Sequence, residues 1–190
     1  PPASSACIVS ELPNLVHGIN DRGDMVGRCF DADENEHGWV RWRDGTFEVI
    51  DYPGSGISGT SSDAYVITNT GKVIAGDYSV TEFVHGFTWT RSEGFRTVDF
   101  PGAVHSGIRA VTENGSVAGT YTLDINPFGP SHGFLVPNVT VDYPGSMSTG
   151  VGGMNNTSRA TSMWWIRPRH QPASSVPSAA KSSKKRGSRH

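Results

Sequence analysis

A chain of 190 residues has room for one ordinary domain or a short array of repeats. Only 35 % of it is apolar, with no continuous run near the ~18 residues a membrane-spanning helix needs, and its 23 Gly point to many tight turns. The net charge of −2 hides two regions: residues 157–190 hold eight Lys or Arg and no acid, leaving eight basic against eighteen acidic groups in the first 156.

The chain opens Pro1-Pro2 without an initiator Met or a charged, apolar leader, which reads as a fragment of a longer protein rather than one with its signal removed. Residues 1–15 read as the frayed end of a preceding unit. Cys7 and Cys29 are too few for a disulfide scaffold, and two free, partly buried thiols are expected.

From residue 16 one unit is spelled repeatedly. In the first copy, residues 16–54, a strand runs into the turn Asn20–Gly23, and Met25–Phe30 forms a second strand. The acidic loop Asp31–Glu36 leads to a third strand, His37–Arg43. Asp44-Gly45, read as a two-residue hairpin turn, reverses the chain into a fourth, Thr46–Tyr52. Alternation puts Ile50 and Tyr52 on one face. Pro53-Gly54 suits the centre of a type II turn, where Gly supplies the positive φ.

The second copy, residues 55–102, repeats the grammar with Ile67-Thr68-Asn69-Thr70-Gly71, His85-Gly86-Phe87 and Asp99-Phe100-Pro101-Gly102. The third, residues 103–145, has Val111-Thr112-Glu113-Asn114-Gly115, His132-Gly133-Phe134 and Asp142-Tyr143-Pro144-Gly145, with the hairpin turn shortened to Pro137-Asn138. Residues 146–156 begin a fourth. The histidines fall 48 and 47 residues apart and the Asp-aromatic-Pro-Gly motifs 48 and 43, so three signatures recur in one order.

Four short strands per unit, without helical periodicity, predict an all-β fold of tandem four-stranded antiparallel units. A β-propeller blade has this size, so the array reads as a partial β-propeller; an open β-solenoid or a sandwich of repeats is the alternative. The motifs resemble the HAF-repeat family of bacterial extracellular repeat proteins, whose units carry Ile-Asn-x-x-Gly, His-small-Phe and Asp-x-Pro-Gly. The resemblance covers about residues 16 to 156, with Gly38, Gly86 and Gly133 where the family has Ala. It implies a propeller-like fold and an extracellular or cell-envelope location. It transfers no activity.

Residues written once per unit suit a bond made once per unit better than a reaction centre, because catalytic groups must converge. His37, His85 and His132 are therefore read as tying the third strand to a neighbouring turn. Asp51, Asp99 and Asp142 are read as capping their own turns, which Pro53, Pro101 and Pro144 shape. Asp31, Asp33 and Asn35 begin like a calcium loop, yet Gly is missing at its sixth place and Trp42 stands where the closing Glu belongs. An acidic solvated loop is the favoured reading, and no metal or cofactor is expected. Arg22-Gly23-Asp24 spells an adhesion tripeptide that the other copies do not keep. Trp39, Trp42 and Trp89 on the third strands are the candidate binding residues, for a carbohydrate or cell-surface polymer. Trp39 and Trp42 fall on opposite faces, one expected in the core.

Residues 157–190 drop the repeat grammar for a basic, Ser/Pro-rich tail, in which disorder is expected from about Gln171 onward. With GC-rich codons, one alternate reading frame of Arg159–His170 spells Gly-Asp-Ile-Asp-Val-Val-Asp-Ser-Ala-Ala-Thr. That string is close to the way Gly23-Asp24-Met25 opens the first unit, so a frameshift product is one reading of the tail. Three functions follow in order. First is a non-enzymatic exported binding or scaffolding module of unknown ligand. Second is a fragment of a propeller-type polysaccharide hydrolase or lyase, favoured if Asp63, Glu82 or Glu113 converge. Third is an anionic-polymer binder acting through Lys184-Lys185-Arg186, with nucleic acid ranked last.

Overall fold

Two turns per unit set the strand lengths. At Asn20–Gly23 the Gly23 N–H donates to the Asn20 carbonyl at 3.0 Å with Gly23 at φ 85°, a conformation that Cβ-bearing residues avoid. Thr68–Gly71 and Thr112–Gly115 close the same way, at 2.8 and 2.9 Å. Each Pro-Gly is a type II turn: Ser55, Ala103 and Ser146 N–H groups donate to Tyr52, Phe100 and Tyr143 carbonyls at 2.9–3.1 Å.

A computed structural model describes Cys7, residues 14–136 and 139–154, and the backbone of 160–165. The protein is all-β, and the described residues contain no helix. β1 (Leu15–Ile19), β2 (Met25–Phe30), β3 (Glu36–Arg41) and β4 (Phe47–Val49) form one antiparallel four-stranded sheet in chain order. β5 (Ser61–Ile67), β6 (Val73–Ser79), β7 (His85–Thr90) and β8 (Gly94–Thr97) form the second. β9 (His105–Val111), β10 (Val117–Thr122), β11 (His132–Leu135) and β12 (Val139–Val141) form the third. β13 (Thr149–Met154) pairs with β14 (Ala160–Trp165). The sheets do not close into a barrel.

Two expectations are corrected. The first unit's fourth strand is Phe47–Val49 rather than Thr46–Tyr52: at its far end the Asp51 side chain takes the Gly38 N–H, and at its start Asp44-Gly45 belongs to a three-residue loop, with Gly45 N–H donating to the Trp42 carbonyl and Trp42 N–H to that of Thr46. Gly45 is the left-handed closing residue of that loop, at φ 91°. Cys7 and Cys29 are not free thiols but a disulfide, with Cα atoms 5.5 Å apart. The basic segment supplies β14, antiparallel to β13, upstream of Gln171. Its remaining residues, like Pro137-Asn138 and most of residues 1–13, lie outside the described residues.

Consecutive sheets bury apolar faces against one another. The first core holds Val26, Val40 and Ile50 of the first sheet and Ala64, Ile74, Tyr78 and Phe87 of the second, with Tyr52 and Phe95 packed alongside. The second core holds Ala75 of the second sheet and Ile108, Val117, Tyr121 and Phe134 of the third, beside Val98 and Phe100. The third joins Ala110 and Ala118 to Val151 of β13. One ring pair recurs. Tyr52 stacks on Tyr78 at 3.5 Å and 5°, and Phe100 on Tyr121 at 3.9 Å and 13°. In both cases the aromatic of one unit's Asp-aromatic-Pro-Gly covers the second strand of the next. Ser62, Ser106 and Thr149 hydroxyls, on the first strand of each following unit, accept from the Tyr52, Phe100 and Tyr143 N–H groups at 2.9–3.2 Å.

The Gly of each His-Gly-aromatic triplet sits where the sheets meet. A Cβ at Gly38 would lie 2.6 Å from the Ile50 carbonyl oxygen, and one at Gly133 2.5 Å from that of Val141 and 3.0 Å from Val151 Cγ2. At Gly86 it would meet the Val98 carbonyl and Ile108 of the next sheet. Ala in place of this Gly is therefore not a neutral exchange here. Gly86→Ala is expected to destabilise the protein by about 1–3 kcal/mol, the usual cost of overpacking, measured by chemical denaturation. An unchanged midpoint would show that the sheets yield at this point.

Candidate functional site

The repeated His and Asp meet each other. His37 Nδ1 lies 2.7 Å from Asp51 Oδ2, and His85–Asp99 and His132–Asp142 both repeat this at 2.8 Å. A carboxylate only accepts, so Nδ1 carries the proton. The other oxygen of each Asp accepts from the N–H of Gly38, Gly86 or Gly133 at 3.0–3.3 Å. Each Asp thus clamps its own third strand through two bonds, and its turn is closed instead by the backbone, with Ser55 and Ser146 hydroxyls also donating to the Tyr52 and Tyr143 carbonyls at 2.8 Å. The three pairs belong to three separate sheets.

His37 differs from its counterparts. Its Nε2 also faces Asp31 Oδ2 at 3.4 Å, and its side chain is 9 % exposed against 33 % for His85. The Asp51 hydrogen bond, opposed by burial and helped by the Asp51 and Asp31 charges, raises its pKa above the ordinary 6.5. Asp31 is itself spent on local donors: Oδ1 accepts from Asp33 and Asn35 N–H and Oδ2 from Asn35 Nδ2, all at 2.8–2.9 Å. The suspected calcium loop is a turn closed around Asp31. Among the described residues no group of three His, Cys, Asp or Glu could hold a metal ion.

The tryptophans are largely occupied. Trp89 lies in the first core, 9 % exposed. Trp42 donates from Nε1 to Glu48 at 3.1 Å and lies under the Arg91 guanidinium, 5.1 Å from its ring. Trp39, on the opposite face from Trp42, packs against Phe47 and borders an apolar cavity of about 480 Å³ with Val16, Met25, Cys29 and Val49. In the adhesion tripeptide, Asp24 is fully buried, accepting from Arg43 N–H at 2.8 Å and Asn20 Nδ2 at 2.9 Å. It is not presented to a partner.

A site that strand alternation did not reveal lies along the first strands. In β1, β5 and β9 the pairing skips one residue: His17, Tyr65 and Arg109 are bulged out of register with β2, β6 and β10. A bulge re-aims its side chain. The three form a column: the His17 and Tyr65 rings are 4.5 Å apart, and the Arg109 guanidinium sits 3.8 Å over the Tyr65 ring. Around them Arg109 Nη1 donates to Asp77 at 2.7 Å, and Arg28 Nη1 donates to Glu36 at 3.2 Å.

Asp63 is the least compensated member of the cluster. Its side chain is 3 % exposed; His17 Nε2 is 3.2 Å from one oxygen and Arg28 Nη1 3.8 Å from the other, neither as an aligned hydrogen bond. Burial first, then the Asp77 charge, pushes its pKa up to about 6 against the pull of Tyr65, Arg28 and Arg109. Burial and the two arginines lower that of His17. Glu113 is elsewhere, accepting from Thr70 N–H at 3.0 Å, and Glu82 is exposed, so the three acids Asp63, Glu82 and Glu113 do not converge.

No protein-family model matches the chain, and no curated protein matches it.

Both titrating groups give pH predictions. The folded value of Asp63 exceeds its ordinary 3.8, so the fold favours the neutral acid and loses stability as pH rises from about 4 to about 6. Asp63→Asn, which mimics the neutral acid, is expected to be about 3 kcal/mol more stable than wild type above pH 7 and equal to it near pH 4. Denaturation at the two pH values checks this; an equal difference at both rules out the titration of Asp63. The raised His37 adds stability below its ordinary pKa, lost as pH climbs through the folded value. His37→Ala is expected to cost about 2 kcal/mol and more at pH 5.5 than at 8.5, while His85→Ala costs about 1 kcal/mol. Thermal melts of the two variants would contradict this if their order were reversed.

Proposed function

We propose that the chain is a non-enzymatic β-repeat module that binds or scaffolds through its surface, its units arranged as consecutive β-propeller blades in an exported protein. One observation carries this reading. The chemical groups written once per unit are turned on one another: His to Asp, Asp to the Gly N–H, ring to ring, hydroxyl to backbone. They hold the array together and leave ligand recognition to the faces and to residues that change between units. The HAF-repeat resemblance supports export, and a disulfide suits an oxidising compartment. A carbohydrate or cell-surface polymer remains the proposed ligand class, with Trp39 the one of the three tryptophans that borders a cavity.

The second reading, a polysaccharide hydrolase or lyase fragment, draws on the buried Asp63 beside His17. An acid held near pH 6 next to an imidazole is the kind of pair that proton transfer uses. Against it, the cluster's other carboxylates, Asp77 and Glu36, are held by Arg109 and Arg28, and the Asp63 side chain is only 3 % exposed, which leaves no pair of free carboxylates for glycoside chemistry. Incubation of the purified chain with chitin, cellulose, peptidoglycan and soluble uronic-acid polymers decides between the two. Saturable co-sedimentation without release of reducing or unsaturated ends is expected, unchanged in Asp63→Asn. Turnover that Asp63→Asn abolishes would establish the enzyme reading instead.

A further inference from the structure

The joint between the second and third sheets is made by a histidine that the repeat does not share. Ser62, Ser106 and Thr149 occupy equivalent places on the first strands, and the residues just before them are Ser61, His105 and Ser148. His105 opens β9 and is only 6 % exposed. Its Nδ1 takes the N–H of Val84, the residue before the repeated His85, at 3.1 Å. Its Nε2 lies 3.1 Å from the Ile125 carbonyl oxygen, in the loop between β10 and β11. The Phe83 ring lies tilted beside it, 5.8 Å away. One imidazole thus ties the loop before β7 in the second unit to the loop after β10 in the third.

These two partners fix the protonation of the ring. A backbone N–H only donates and a carbonyl only accepts, so Nδ1 carries a lone pair and Nε2 the proton. The neutral ring alone satisfies both at once. A second proton, on Nδ1, would set one donor against another and leave the Val84 N–H without its acceptor. The repeated His–Asp pairs are arranged the other way, with the proton on Nδ1 and a carboxylate to meet it. Charged groups on the segments packed around His105 are engaged elsewhere. Asp99 holds His85, Asp142 holds His132 and Asp77 holds Arg109, while Asp124 accepts from the Asn126 N–H at 3.0 Å and Glu82 is exposed.

The next joint along the chain is an internal control. There Ser148 Oγ accepts from the N–H of Ser131, the residue before His132, at 3.2 Å, and Thr149 N–H donates to the Ser131 carbonyl at 2.8 Å. Ser106 N–H and the Val84 carbonyl repeat that second bond at 2.9 Å. The two joints differ in one acceptor. A hydroxyl keeps its form across the physiological pH range, and an imidazole does not.

We propose that His105 is an acid-sensitive latch between the second and third units, in which uptake of a proton at Nδ1 releases Val84 and loosens this joint while the Ser148 joint holds. The device stands whatever the module binds. Acidification favours His37 and Asp63 as the fold places them, so a loosening confined to Val84 runs against the trend of its surroundings.

Amide hydrogen exchange followed by NMR at about pH 8 and about pH 5, either side of the ordinary imidazole range, tests it. After correction for intrinsic exchange, protection of the Val84 amide is expected to fall about tenfold or more in acid, as one hydrogen bond is lost, while that of Ser131 keeps its value. In His105→Ser, which copies the Ser148 joint, protection of Val84 should no longer depend on pH. The ring-nitrogen shifts of His105 in the wild-type chain at about pH 8 should place the proton on Nε2. That spectrum needs no variant, so it decides even where His105→Ser does not fold. A proton on Nδ1 at that pH overturns the proposal. So does a Val84 amide equally protected at both pH values, or one whose loss in acid persists in His105→Ser.

Discussion

A sheet of four short strands has two apolar faces and cannot bury either one alone. Everything else in the fold answers to that constraint. At Gly38, Gly86 and Gly133 a carbonyl of the same unit leaves no room for a Cβ, at Gly86 and Gly133 a side chain of the next unit closes in as well, and Tyr52 and Phe100 reach over to the next unit. The Asp beside each holds the third strand and its His at a fixed distance from the chain end that carries the aromatic. Local clamp and inter-unit contact are one motif. That coupling accounts for its appearance in every unit with so little variation.

The polar work between units is divided between two ends of the strands. At the turns joining the first and second strands, Asn20 Nδ2 donates to the Thr68 carbonyl at 3.0 Å, Asn69 Nδ2 to Asp21 at 2.7 Å, and Thr70 N–H to Glu113 at 3.0 Å. These turns form a ladder that crosses both complete interfaces. In mid-strand the same role falls to charge: Arg28, Asp63, Asp77 and Arg109 alternate in sign across the three sheets. The ladder is buried at its Asn20–Thr68 rung and exposed at the other two. The charged column is buried, and its balance depends on every member keeping its ionisation state.

Much of the fold was legible in the sequence because motif and geometry coincide. Pro-Gly states its turn type, and His-Gly-aromatic and Met25–Phe30 fall on strands by simple alternation. Asp44-Gly45 misled because a Gly after Asp suits two loop lengths, and only the bond from Gly45 N–H to Trp42 tells them apart. The disulfide was missed because counting cysteines says whether a scaffold is present, not whether two chain ends meet. The bulged column was hidden for a different reason. His17, Tyr65 and Arg109 share no chemistry, and a skipped residue breaks the alternation that would have flagged them. Their common mark is position, each three residues before Asn20, Thr68 or Thr112.

That mark has a consequence for how such proteins diversify. A bulged residue is excluded from the ladder of strand pairing, so its identity is released from the demands that keep the neighbouring positions nearly constant. The pairing of β13 with β14 skips Gly152 at the corresponding place, and a glycine there ends the column without disturbing the strand. Each unit therefore contributes one side chain whose identity answers to its neighbours in the column rather than to strand pairing. Arrays of this kind can change that column one unit at a time while the framework of strands stays as it is.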